Sequence, residues 1–228
     1  MRMVLLLLLF LGPAFAGVRA QPPADLPTAT IDALRRGFPA DHAALTALLR
    51  GQSSGEARRR AYAAIDRFLH ERIDSILAAP GPALVALEAR QGALLRALGR
   101  QDVGLCAVVG DRGFFSPEAL AGAAPEGLDA YGAALVEAAK AGAAAPAEAA
   151  APASRDDFTA WLREVARIEP DVPVQAMLTD RERRLAAGPD HLCRGAAAMH
   201  EAAARLGGGA GERVSRTLLR SVLGVARN

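Results

Sequence analysis

From Ala61 to Leu77 the apolar residues return every third or fourth position, as Ala61, Ile65, Phe68, Leu69, Ile73, Ile76 and Leu77. That spacing lays one apolar stripe along a helix and is out of phase with a half-buried strand, whose period is two. It predicts a long helix over about 55–79, closed by Pro80-Gly81-Pro82. The same period recurs along the chain, in Leu84, Leu87, Leu94, Leu95 and Leu98, in Leu128, Tyr131, Leu135 and Val136, and in Phe158, Trp161, Leu162, Val165 and Ile168. No series of alternating segments competes with it. The expected class is all-α, a bundle of roughly seven to nine helices held by one disulfide.

Composition says what kind of bundle this is. Apolar residues make up 51% of the chain, yet aromatics are only 4% and alanine supplies much of the rest. Alanine favours helix and buries little area, so helices should approach closely around a thin core of Leu, Ile, Val and a few Phe.

Local signals place the helix ends. Thr28 or Thr30 can cap a first helix that stops at Gly37, and Asp41 can cap a second carrying Leu45, Leu48 and Leu49. The stretch from Asp102 to Asp111 is the least helical and is expected to be irregular, packed on the helices. Ser116-Pro117-Glu118 reads as a helix start, and a helix follows over about 126–140. Residues 141–154, rich in Ala and Pro, read as a linker between a helical N-terminal part, 21–140, and a helical C-terminal part, 155–228. Ser154 with Asp157 forms a capping pattern. Three further helices are expected: about 175–187, one capped by Asp190, and about 211–225 after Gly207-Gly208-Gly209.

The first residues, Met1-Arg-Met-Val-Leu-Leu-Leu-Leu-Leu-Phe-Leu-Gly-Pro-Ala-Phe-Ala16, show a basic start, an apolar run from Val4 to Leu11 and an Ala-x-Ala ending. This is the pattern of a secretory signal peptide, 1–16, with an alternative end at residue 20 after Val18-Arg19-Ala20. The run falls well short of the ~20 residues that span a bilayer, so no integral anchor is expected after cleavage. The expected location is outside the cytoplasm: periplasmic in a bacterium, otherwise secreted. Charge gives no reason to expect a polyanion partner. The full chain holds 27 basic and 25 acidic residues, and loss of Arg2 and then Arg19 brings the basic count to 26 and to 25. A near-neutral chain with no aromatics interleaved among its arginines is not expected to bind nucleic acid.

Export gives the two cysteines their meaning. Cys106 and Cys193 are the only thiols, and an oxidising compartment argues for joining them, which ties the two halves across the linker. Metal binding is the sharper alternative, a Cys2His2 set of Cys106, Cys193, His191 and His200. On a helix, however, Cys193 and His200 share an edge while His191 points elsewhere, and no Cys-x-x-Cys or His-x-x-x-His pair is present. A Cys193 nucleophile with His200 as base meets a similar obstacle, because seven residues are two turns, about 10 Å. No metal and no cofactor are therefore expected.

Arg58, Arg59 and Arg60 form the clearest charge run and the candidate anion-binding site, although three neighbours on a helix point in three directions. Asp156-Asp157 and Glu71 with Asp74 are the nearest approach to paired carboxylates. They read better as helix-end electrostatics and a solvated face than as an acid–base pair. Phe114-Phe115 is an aromatic pair near Cys106 in sequence, suited to filling a gap or to contact. The functional expectation is an exported, non-catalytic helical protein that binds a protein partner or belongs to the cell envelope. Two alternatives accompany it: a hydrolase-type enzyme whose site is dispersed in sequence, and a peripheral binder of anions or membrane surfaces through Arg58–Arg60.

Overall fold

A computed structural model describes residues 26–112, 126–144 and 151–225. The signal segment, Phe114-Phe115, the helix start at Ser116 and residues 145–150 of the expected linker lie outside the described residues. Among those described there are helices and no strands. In chain order they are α1 (Thr28–Gly37), α2 (Pro39–Leu49), α3 (Ser54–Glu71), α4 (Ile73–Leu77), α5 (Gly81–Gln101), α6 (Val103–Arg112), α7 (Leu128–Ala144), α8 (Arg155–Ile168), α9 (Val174–Thr179), α10 (Arg181–Ala186), α11 (Pro189–Leu206) and α12 (Gly208–Val225). These are more and shorter pieces than the expected seven to nine.

The divisions have physical causes. The helix expected over 55–79 breaks at Arg72, whose backbone leaves the helical region and whose amide bonds to Leu69, three residues back. Arg72 is held there by its environment: its guanidinium lies over the rings of Phe38 and Phe68 and reaches Asp41 at 3.4 Å. The apolar phase continues across the break, so periodicity alone does not reveal it. The helix expected over 175–187 divides at Asp180, whose carboxylate accepts from the amides of Glu182 and Arg183 and starts α10.

The stretch expected to be irregular is helical. Asp102 takes an extended backbone and accepts from the Leu105 amide at 2.9 Å, capping α6, while Cys106, Ala107 and Val109 are buried. A capped start and burial outweigh the weak helix propensity of its valines and glycines. Other ends also shift. Neither Thr28 nor Thr30 caps α1; Asp129 of α7 accepts from the amides of Ala29 and Thr30, both at 2.8 Å, and from the Thr30 hydroxyl. Helices α2 and α11 begin at Pro39 and Pro189, with Asp41 and Asp190 inside the first turn as acidic residues that favour that end. Helix α7 continues through Ala141 to Ala144, so the first residues of the expected linker are helical. Ser154 and Asp157 do form the expected capping box.

Two apolar clusters result. The larger joins the buried faces of α1 to α7 with Cys193, Ala196, Ala197 and Leu219. The smaller holds Trp161, Val165, Val172, Val174 and Met177 against Ala198, Ala202, Ala203 and Val214. Helix α11 is the wall between them, showing alanines to each side. Small side chains let its neighbours come close on both faces, and burial of α11 needs no large residue.

Candidate functional site

The sulfurs of Cys106 and Cys193 stand at disulfide distance, joining α6 to α11 across 87 residues of sequence. Gly99 of α5 passes directly beneath: a Cβ there would lie 2.6 Å from the Cys193 sulfur. With both thiols bound to each other, neither remains for the Cys2His2 set or for nucleophilic attack. Among the described residues no three His, Cys, Asp or Glu side chains gather as metal ligands.

His200 has a different partner from any expected for it. One of its ring nitrogens, Nδ1, lies 2.5 Å from Oε2 of Glu88 on α5, and the exposures of the two residues are 5% and 0%. The other carboxylate oxygen of Glu88 is buried with no hydrogen-bond partner. Burial pushes the Glu88 carboxyl up from its ordinary value, against the opposing pull of His200. Tyr131 of α7 and Gln91 of α5, both fully buried, complete this polar group, the phenol donating to Gln91 Oε1 at 3.4 Å. Desolvation and then the Glu88 charge hold the Tyr131 phenol above its ordinary value. A reacting molecule has no opening to these groups. The sequence does carry a signal for them: Leu84, Glu88, Gln91 and Leu95 follow one another at helical spacing, so two polar residues occupy the phase of the apolar stripe.

Further along the same helix pair lies an ionic network. Arg96 binds Glu201 at 2.8 Å and also Glu169; Arg194 binds Glu169 at 2.5 Å and Asp190 at 3.1 Å. Burial pushes the Glu169 carboxyl up, but hydrogen bonds from Arg194 and Arg96 outweigh it and leave the group below its ordinary value. A shallow recess of about 180 Å³ beside it includes Arg96, Gly99, Arg194 and Cys193. Arg96 and Arg194, the arginines it shares with the network, are each held by two carboxylates.

A wider recess lies elsewhere, about 650 Å³ between α8, residues 172–173 and α9–α10. Leu162, Val165, Val172 and Val174 form its floor, with Gln175 and Asp180 toward the rim. Its ionisable residues, Asp180 and Arg183, are bound to each other at 3.3 Å. Another recess of about 350 Å³, between α1, α2 and α3, is lined by Leu34, Leu45, Ile65 and Phe68 with Asp41, Arg67 and Glu71.

The arginine run is not assembled into an anion cradle. Arg59 and Arg60 both turn to Glu56, Arg60 at 2.6 Å. Hydrogen bonds from Arg60 and then Arg59 lower the Glu56 carboxyl. Asp157 is likewise engaged, by its capping box and by a two-pronged bond from Arg213 at 2.7 and 2.9 Å, which joins α8 to α12. No helix among the described residues is long and apolar enough to cross a membrane. Comparison with protein-family models, with curated proteins and with solved structures finds no match to this chain.

Proposed function

We propose that this is an exported, non-catalytic helical protein that binds a partner through the recess between α8 and α9–α10. The observation that carries the reading is the distribution of charge. Groups with displaced proton affinity lie inside the core, as Glu88 and Tyr131 do, or in matched ion pairs, as Glu169 and Asp157 do. The 650 Å³ recess instead has an apolar floor and one internally satisfied ion pair, a lining suited to contact and not to moving protons. Envelope association is a form of the same proposal. Membrane attachment through Arg58–Arg60 draws less support, since Glu56 already occupies two of the three guanidinium groups.

The test uses Ala166, an exposed α8 residue on the recess wall, where arginine keeps good helix propensity and fills the opening. Mature wild-type and Ala166→Arg proteins are cross-linked in their native compartment and the attached proteins identified. A partner held by the wild type and lost by at least about tenfold in the variant, about 1.4 kcal/mol, supports the recess. Equal capture by both overturns it. Turnover of an ester, peptide, phosphoester or glycoside by the mature wild type favours the hydrolase alternative.

A further inference from the structure

We propose that the Glu88–His200 pair is a one-proton latch, holding α5 against α11 most tightly in mildly acidic medium and loosening that seam as pH rises past neutrality. Both side chains are almost completely removed from water, they meet at 2.5 Å, and the second oxygen of Glu88 has no other partner. One proton shared between imidazole and carboxyl keeps the pair neutral, whichever of the two carries it. Loss of that proton leaves a carboxylate inside the core with no cation facing it. Gain of a second leaves an imidazolium with no anion. Each state buries an uncompensated charge, which is costly.

Among the described side chains of the packed elements, no other charge compensates. From α7 the pair meets Tyr131, and on α5 itself Gln91, both uncharged. Glu201 and Arg96 bind each other, and Glu169 of the α8 terminus binds Arg96 and Arg194. On α12, Arg213 is bound to Asp157, and Arg216 turns away to the carbonyls of Leu77 and Ala79 while Glu212 lies against Gly81. The described residues of α6 that pack on this region bring Cys106, Ala107 and Val109, none of them ionisable in the disulfide form.

The direction follows from proton counting. Unfolded, the two side chains carry one proton between them only from about pH 4.5 to about pH 6.5, the ordinary values of Glu and His. Above that window the unfolded chain holds fewer protons than the folded pair, so the folding constant falls with rising pH, by up to about tenfold per unit. Below it the unfolded chain holds more, and the constant falls toward acid. The raised Glu88 agrees in sign: stability present below its unfolded value is lost as pH rises through the folded one. The seam also touches α8, the helix that supplies Leu162, Val165 and Ala166 to the recess. Met199, next to His200, accepts through its carbonyl from the Trp161 indole at 2.9 Å, and Trp161 stands on α8.

The experiment compares unfolding equilibria from pH 4 to 9 for the wild-type chain and for Glu88→Gln/His200→Gln, so that groups common to both cancel. The expected difference is greatest between about pH 4.5 and 6.5 and falls above it by up to about tenfold per unit in folding constant. A flat difference overturns the latch. Should the variant not fold, nitrogen-resolved NMR of His200 in the wild type decides. Protons kept on both ring nitrogens, or a protonated Glu88 carboxyl, from pH 5 to 8 support it; a ring that titrates as a free histidine does, or a neutral ring beside an ionised Glu88, overturns it.

Discussion

Glycines at close crossings and polar residues in apolar phase carry the most information among single residues. Gly142 of α7 crosses α4 so closely that a Cβ would fall 1.9 Å from the Ser75 carbonyl oxygen and 2.8 Å from the Ala79 nitrogen. Both contacts are backbone and cannot move aside as a side chain does. Gly55, near the start of α3, would meet nothing within 4 Å. Gly142→Ala should therefore destabilise by about 1–3 kcal/mol, whereas Gly55→Ala should be neutral or stabilise by no more than about 1 kcal/mol. Urea unfolding of the two variants checks this, and equal effects would refute the close crossing. Nothing local in the sequence separates these glycines. Glu88 and Gln91 differ, because their phase with Leu84 and Leu95 marks them as buried on local grounds alone. Their partners, His200 and Tyr131, are 112 and 40 residues away and carry no local mark.

Among the helices, the apolar stripes are legible in the sequence and the ends only partly so. The capping box at Ser154 is readable because Asp157 lies within the same turn. The start of α1 is not, because its cap comes from another helix: Asp129 satisfies amides about a hundred residues earlier. Gly132, one turn along α7, leaves room for Thr30, whose hydroxyl oxygen would be 2.5 Å from a Cβ there. Asp129→Ala should cost about 1–2 kcal/mol and should speed amide exchange at Ala29 and Thr30 while leaving α9 and α10 unchanged. Unaltered exchange at those two amides would count against the cap. The break at Arg72 and the helical state of 103–112 escape a purely local reading. The first is decided by what the segment packs against, Phe38, Phe68 and Asp41, and the second by packing on α5 and α11 together with the local cap at Asp102.

For the whole molecule the disulfide is the main constraint not made by packing. It joins positions 87 residues apart, so it removes much freedom from the unfolded chain, about 4.6 kcal/mol in the chain-entropy account. Cys106→Ala/Cys193→Ala should lower unfolding stability by about that amount, a large share of the roughly 5–15 kcal/mol typical of a domain. The wild type under reductant should approach the variant. A variant as stable as the oxidised wild type would show that the fold does not depend on the link.

The helical class follows from residue order alone, because a period of three to four is local and repeats in almost every segment. So does the pairing of Cys106 with Cys193 as the one intramolecular possibility, because there are only two cysteines. Packing settles the other outcomes: that α11 walls off two apolar clusters, and that His200 meets Glu88 instead of a thiol or a metal. Those outcomes depend on which groups are brought out of water together or left within reach of one another. Partners distant along the chain leave no periodic trace of one another.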